Sequence, residues 1–513
     1  MRLDATPIAR LLLKRRHRRL MQADAVADQR KQLAKLVKTA AGTRFGRNHD
    51  FAAIKTVEDF QRAVPLRNYE QMWTGYWKDP FPILDNVTWP GRVPFFAVSS
   101  GTTSGASKFI PITRDMRRSN VNAAMNVLAL HAAAKPKSRF FAGPSFMLGG
   151  STELVKEADG VWSGDLSAIA AMTLPRWAQA LAFPPNDLAL LTNWDEKLAR
   201  TAEASLDKKI RILTGTPSWV LILLERVAAL RKVRGDTALP YPELDLFIHG
   251  GINFAPYRER MTAFFAGRDV DFREVYPASE GFIGFADRGP GEGLRLNTHG
   301  GLFFEFIPVE ELGSANPTRH WVETIQPDIN YAVALTTCSG VFAYLIGDTV
   351  RFVDIKTPRL LITGRTSWML SAFGEHLIGE EIDKAVLEAA TAIGNAVTDY
   401  SVGPVYPDDT TPLGHHVFVV EFASPTDAEA RSQFSTTLDT ALQRMNDDYR
   451  AHRGGGHGMA DPRIEPMDTG GFAAWMAARG RAGGQNKVPR VISDAALLQN
   501  LRDFAGSYAG SSA

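Results

Sequence analysis

The densest concentration of reactive side chains is Ser99-Ser100-Gly101-Thr102-Thr103-Ser104-Gly105-Ala106-Ser107-Lys108, which directly follows an apolar run. Hydroxyls, two glycines and a lysine in one short stretch suit a backbone that turns its N–H groups inward. Such a nest binds oxyanions, with hydroxyls as extra donors and lysine as the counter-charge. It is not a Walker A loop, because Ala106 and Ser107 stand where that motif needs glycine and lysine. A flexible surface loop is the plainer alternative, but Lys108 runs at once into Phe109-Ile110-Pro111, which argues against a mobile linker. Other candidates are scattered. Glu280 follows Tyr276-Pro277-Ala278-Ser279, Asp348 follows Gly347, Arg365 follows Gly364, and Lys487 lies between Gly483-Gly484 and Pro489. Taken singly they read as a surface carboxylate, a turn aspartate, a junction arginine and a loop lysine.

The elements that must position these residues belong to a mixed or parallel sheet covered by helices. The chain has 513 residues, more than one core usually organises, so two domains are expected. Apolar residues are 45% and charged residues 22%, which excludes a mainly disordered chain. Lys plus Arg (58) against Asp plus Glu (56) leaves +2, which speaks against a protein built around nucleic acid. The single cysteine, Cys338, excludes an intramolecular disulfide and a cysteine-based zinc cage, and a cytoplasmic setting is expected. No apolar run is long enough to span a bilayer, so no membrane insertion is expected. Leu11-Leu12-Leu13 precedes Lys14–Arg19, the reverse of a secretory signal, and this segment reads as the solvated face of an amphipathic helix.

Strands are expected at Val93–Val98, Leu244–Ile248, Phe272–Tyr276 and Leu302–Ile307, with a strand-turn-strand unit over Ala332–Val353. Ser339-Gly340 and Gly347-Asp348 are its expected turns. Thr216-Pro217 has the chemistry of a helix start, with Gly235 as its stop. After Arg365 come a helix from Gly379, a strand at His416–Phe422, a helix from Asp427 towards Arg450 and a glycine-dense stretch. The boundary is therefore expected near Arg365, giving domains 1–365 and 366–513.

Five short motifs in order resemble a known family. The hydroxyl-rich loop is similar to the phosphate-binding loop of the auxin-responsive Gretchen Hagen acyl-acid amido synthetases, and more loosely to that of the wider adenylate-forming (ANL) superfamily. Tyr276-Pro277-Ala278-Ser279-Glu280 resembles the family's Tyr-x-x-Ser-Glu, and Tyr344-Leu345-Ile346-Gly347-Asp348 its Tyr-x-x-Gly-Asp. Gly364-Arg365 sits where the superfamily has its interdomain hinge, and Gln485–Arg490 resembles the C-terminal Gln-x-Lys-x-Pro-Arg segment. The likeness runs from about residue 30 to 495. His249-Gly250-Gly251-Ile252-Asn253-Phe254 reads like the bacterial branch, and Ala278 replaces the second serine of the plant motif.

The resemblance implies an α/β adenylate-forming fold of the firefly-luciferase kind, a large N-terminal domain with a smaller mobile C-terminal α+β domain. It implies that ATP activates a carboxylic acid as an acyl adenylate, releasing pyrophosphate, and that the acyl group passes to the amine of an amino acid. Neutralising charge at the phosphates supplies most of the rate of such a step. By this resemblance Ser99, Ser100, Gly101, Thr102, Thr103 and Lys108 hold the β,γ-phosphates. Glu280 carries Mg²⁺, Tyr276, Ala278 and Ser279 border the nucleotide, and Asp348 accepts the ribose hydroxyls. Lys487 supplies the cation at the α-phosphate and Arg365 acts at a domain junction that rotates between half-reactions. The acyl pocket falls on Trp219, Val220, His249, Gly250, Gly251 and Ile252, where two glycines permit close backbone approach. Trp219 suggests an aromatic or apolar acid. The tandem His415-His416 lacks a third ligand nearby and reads as structural. A thioester-forming acyl-CoA ligase is the alternative. Small-molecule partners and a monomer or weak dimer are expected.

Overall fold

The structure is a computed structural model that describes residues 4–100, 107–149, 154–191, 193–251, 254, 257–366, 370, 377–406, 413–446, 449–450, 453, 459–480, 488–492 and 494–508. Two compact units are distinguished. The first takes in most of the chain as far as Leu361, and the second runs from Ile362 onward together with Gly347–Val350.

In the first unit, the expected strand at Val93–Val98 forms at Phe95–Ser100, and it turns back on Ser107–Ile112 as an antiparallel hairpin with Ser99 opposite Lys108. This hairpin belongs to a small sheet with Val161–Gly164 and Val155–Ala158. Its base is fixed by aromatic packing. The Phe109 N–H donates to the Tyr69 hydroxyl (2.9 Å), and the Trp73 ring stacks on both Tyr69 (5.8 Å) and Phe109 (6.0 Å).

A second sheet orders eleven described strands. Its parallel part runs Ala182–Phe183, Ser145–Leu148, Ile212–Gly215, Leu246–Gly250 and Asp271–Ala278. Beyond it lie Gly281–Phe285, Leu294–Leu296, Arg359–Arg365, Tyr344–Asp354, Asn330–Thr337 and Leu302–Pro308. Helix Pro217–Val233 covers the parallel strands, burying Val220, Leu223, Leu224 and Val227 on Phe146, Leu213 and Phe247. Burying each such side chain contributes roughly 1.5–3 kcal/mol.

Buried carboxylates in this unit are paired with arginines at Asp287 and Glu305. Asp287 accepts two bonds from Arg359 (Nε 2.8 Å, Nη2 2.7 Å) and one from Arg295 (3.3 Å). Burial would raise the Asp287 carboxyl, but the Arg359 and Arg295 guanidinium groups overcome this and hold it below the usual carboxylate range. Glu305, fully buried, is gripped from both oxygens by Arg319 (2.9 Å each).

In the second unit, Val397–Val405, His415–Phe422 and Arg463–Met467 form a three-stranded sheet. Helices Gly379–Ala392 and Ala428–Met445 pack on one face of it. Helices Gly471–Ala478 and Ala495–Ser507 form a second core with Val417 and Val419.

Several sequence expectations are corrected. Gly347-Asp348 is not a turn but lies within strand Tyr344–Asp354, with Gly347 at φ +88°, a conformation glycine adopts at no steric cost. The helix from Asp427 stops at Met445 rather than Arg450, because Asn446 turns extended (φ −134°, ψ 116°). Thr216 stands at the N-cap of its helix without a side-chain cap bond, and Pro217 supplies the start alone. The glycine-dense stretch holds the strand Arg463–Met467 and the helix Gly471–Ala478.

Replacing Asp287 by Ala leaves the buried Arg295 (8% exposed side chain) without its carboxylate and Arg359 (5%) with Asp354 as its remaining one. The expected loss is about 3–5 kcal/mol in urea unfolding. Since the Asp287 carboxyl is held low in the folded state, its contribution is present above about pH 4 and lost as pH falls through the folded value. The wild type should therefore lose more stability on acidification than the variant.

Candidate active site at the ends of the parallel strands

Strands Ile212–Gly215, Leu246–Gly250 and Asp271–Ala278 pair in parallel, with Gly215 opposite His249 and Gly250 opposite Val275. Their C-terminal ends therefore lie side by side. In open parallel sheets this is where ligands bind. It brings together three segments that lie far apart in sequence: Gly215–Trp219, His249–Gly251 and Tyr276–Glu280. A methyl group on Gly250 would stand 2.2 Å from the Val275 carbonyl oxygen, so only glycine permits this approach. Gly251 adopts φ +86°, and its nearest neighbour would be the Thr216 hydroxyl at 3.8 Å.

Ser279 and Glu280 form the two-residue turn between Asp271–Ala278 and Gly281–Phe285, where Ala278 pairs with Gly281. Glu280 is buried at this turn, as is Tyr276 near the strand end. No group of three or more metal-ligating side chains occurs among the described residues. A single carboxylate therefore fits Mg²⁺ only in the form that cation favours, shared with phosphate oxygens and water rather than caged by protein.

Around the acyl-pocket candidates, Trp219 is partly buried against the core, while Val220 is fully buried with its Cγ2 against Gly215. His249 is buried, its ring tilted over Phe254 at 4.0 Å. Burial, aided by Arg258, pushes its imidazole down to about 3. The ring is therefore neutral at physiological pH, and its Nδ1 is buried with no hydrogen-bond partner. Arg258 lies over the other partner of this stack, 4.9 Å from the Phe254 ring. It also acts on Glu274, which is opposite His249 in register and is raised by burial. Sequence reasoning passed over Arg258 and Glu274, since nothing in their spacing sets them apart from other surface charges.

On the hairpin, Lys108 places its ammonium 5.6 Å from the centre of the Tyr69 ring. Ser99 and Ser100 are described only by their backbone, at the hairpin's end. Gly101, Thr102, Thr103, Ile252 and Lys487 lie outside the described residues.

In the second unit, Arg365 ends strand Arg359–Arg365 and its Nε lies 3.1 Å from Asp348 Oδ1. The two form an ion pair. Arg490 donates to the Tyr400 carbonyl (3.0 Å) and to Asp399, with its guanidinium 4.4 Å from the Tyr400 ring. Backbone bonds from Val402 to Arg490 and from Ile492 to Val402 (2.8 Å each) pin the chain that follows Lys487 to the sheet. His415 and His416 are buried, as befits structural residues.

One further constellation has the form of a hydrolytic triad. His131 bonds Asp271 (2.8 Å) and Ser138 (2.8 Å). It lies at the start of strand Asp271–Ala278, away from the site, and the neighbouring N–H groups are taken: Ser138 N by Lys135 O and Arg139 N by Asp245. The bonds of His131 tie helix Arg114–Ala134 to the sheet.

Models of three domains match the chain in order: the GH3 family N-terminal domain over residues 15–161, the GH3 family central domain over 296–365 and the GH3 family C-terminal domain over 380–496. Together they take in more than half of the chain. The segment carrying Tyr276–Glu280 falls between the first two. An indole-3-acetic acid-amido synthetase of Arabidopsis thaliana, GH3.4, is 22% identical, over 92% of this chain and 90% of that protein. A 4-substituted benzoates-glutamate ligase of the same plant, GH3.12, is 24% identical over 39% of this chain and 36% of its own length. Among solved structures, the GH3.15 acyl acid amido synthetase in complex with 2,4-DB superposes with a TM-score of 0.77 at 16% identity, covering 98% and 97% of the two chains. A 2-hydroxyisobutyryl-CoA ligase superposes at 0.60 and 17% identity, covering 93% and 91%. These likenesses establish the adenylate-forming fold.

Because His249 is held near 3 in the folded state and would return to about 6.5 on unfolding, the unfolded chain binds the extra proton between those values. Stability from this group is complete above about pH 6.5 and falls as pH drops towards 3, by up to about 1.4 kcal/mol per unit. His249→Phe should flatten that part of the stability profile, and the imidazole signals of His249 should not titrate above pH 4 by NMR.

Proposed function

Since the chain belongs to the GH3 family, we infer that it is an acyl acid amido synthetase: a ligase that activates a carboxylic acid with ATP and passes the acyl group to an amine. The observation that carries the site assignment is the register of three parallel strands, which supports one pocket built from Gly215–Trp219, His249–Gly251 and Tyr276–Glu280. The acceptor is read as an amino acid, on the likeness to the amido synthetases, and the chain as one of the bacterial branch, on His249–Phe254 and Ala278.

In this reading Lys108 and the loop before it bind the β,γ-phosphates. The support is the strand that carries Lys108, held by the packing of Tyr69, Trp73 and Phe109. Glu280 holds Mg²⁺, and the cation when bound neutralises phosphate charge. Tyr276 and Ala278 border the adenine, and Asp348 receives the ribose hydroxyls while keeping its contact with Arg365. Lys487 brings an ammonium to the α-phosphate, aligning the attacking carboxylate and offsetting the charge that grows as the adenylate forms and pyrophosphate leaves. The acid is held by apolar and aromatic surface, Trp219 on one side and Phe254 with neutral His249 on the other. Neutral His249 cannot act as a cationic partner for the carboxylate and serves as a wall with one free ring nitrogen.

A screen of pyrophosphate release across aromatic and aliphatic acids, with and without amino acids, tests this. Amide product with an amino acid and no thioester with coenzyme A is the expected result. Thioester formation alone would overturn the amide reading. Lys487→Ala should lower kcat for adenylate formation about 10²–10³-fold, with little change in ATP binding. Glu280→Gln should raise the Mg²⁺ concentration needed for half-maximal rate.

A further inference from the structure

Helix Thr6–Met21 has two faces of different character. Its inner face is fixed: Leu13 and Leu20 are 2% exposed, and Arg10 donates to the carbonyls of Ala132 and Ser138 (2.6 Å each). Arg16 bonds Asn122 (2.7 Å), and Arg295 caps the Leu20 carbonyl (2.6 Å). The outer face carries Ile8 (74% exposed), Leu11 (73%) and Leu12 (69%), at helical spacings of three and four. Arg15, Arg18 and Arg19 continue the same face one to three turns on. At 100° per residue, all six side chains fall within a sector of about 120°. The helix contains no acidic residue, and among the described residues no ion pair neutralises Lys14, Arg15, Arg18 or Arg19.

A merely solvated face accounts for the arginines but not for three large aliphatic side chains left in water beside them. Contiguous exposed apolar surface of this kind marks a binding surface. From this arrangement we propose that the outer face of helix Thr6–Met21 is a docking surface for an anionic membrane. The helix lies in the interface with Ile8, Leu11 and Leu12 among the acyl chains, and Arg15, Arg18 and Arg19 at the headgroups. Charge complementarity selects this occupant over the others. A second copy of the chain, docked on the same patch by two-fold symmetry, would bring two sets of unpaired arginines together. A nucleic acid would use the arginines but gain nothing from the leucines. No helix among the described residues is long and apolar enough to cross a membrane, so the association is peripheral.

The test is flotation of the whole protein with vesicles of phosphatidylcholine containing about 30% phosphatidylserine, against phosphatidylcholine alone, at low and high salt. The wild type should float with the anionic vesicles and be released by salt. Leu11→Ser with Leu12→Ser, and separately Arg15→Gln with Arg18→Gln and Arg19→Gln, should each weaken partitioning at least about tenfold. Circular dichroism and pyrophosphate release with a water-soluble acid should be unchanged in both variants, since the replaced side chains are exposed. The proposal is overturned if the wild type stays in solution with both vesicle types. It is equally overturned if the Leu11/Leu12 variant floats as well as the wild type. Sedimentation showing a wild-type dimer that the same variant makes monomeric would assign the patch to a second copy instead.

Discussion

Everything at the site depends on how closely three parallel strands approach one another where they end. Pairing of Gly215 with His249 and of Gly250 with Val275 makes those ends level. Side-chain-free positions at Gly215 and Gly250 make the approach possible. A methyl on the first would meet Val220 Cγ2 at 2.8 Å, and one on the second the Val275 carbonyl at 2.2 Å. The second clash is with backbone, so it could be relieved only by moving a strand. The turn Ser279-Glu280 inherits its place from the same strand, because two residues are all that separate Ala278 from its partner Gly281. A carboxylate on so short a turn has little freedom.

Burial decides the electrostatics of the neighbouring wall. An imidazole stacked on Phe254 and facing the field of Arg258 loses the proton it would carry in water, so His249 contributes shape and a nitrogen, not charge. The permanent cation there is Arg258, and it is itself laid on an aromatic face. In the second unit the same logic appears at Arg490. Its guanidinium is balanced by Asp399 and rests on Tyr400, so a residue of the C-terminal motif serves to fix backbone.

Strongly periodic elements were legible in the sequence, and residues whose meaning comes from tertiary neighbours were not. Pro217 and Gly235 bracket the helix Pro217–Val233 because their backbone preferences act locally. The apolar runs at Leu302–Pro308 and His415–Phe422 are buried throughout, so composition alone marks them as strands. Ser145–Leu148 and Ile212–Gly215 escaped, being short, and Gly347-Asp348 misled because a glycine with positive φ looks like a turn even inside a strand. The motif residues Tyr276, Glu280 and Asp348 could be picked out by order along the chain. Arg258 and Glu274 could not, since only the register of Leu246–Gly250 with Asp271–Ala278 and the fold of the segment between bring them to His249. Val220 shows the opposite error in kind. Beside Trp219 in sequence it looks like pocket lining, yet helical geometry turns it into the core.

The fold itself does not choose between amide and thioester. An acyl-CoA ligase shares it over nine-tenths of both chains, as the amido synthetases do. Adenylate formation asks the same of either enzyme: charge neutralisation at the phosphates and an aligned carboxylate. The choice of acceptor must therefore rest on parts of the chain that the shared framework leaves free to vary. The family-specific evidence lies in the three successive domain matches and in one relative aligned along 92% of the chain. The same reasoning separates acid from nucleotide. Strand ends and their turns are held by backbone pairing, while Trp219, His249 and Phe254 are placed by side-chain packing. Trp219, His249 and Phe254, which the proposed function assigns to the acid, all stand there.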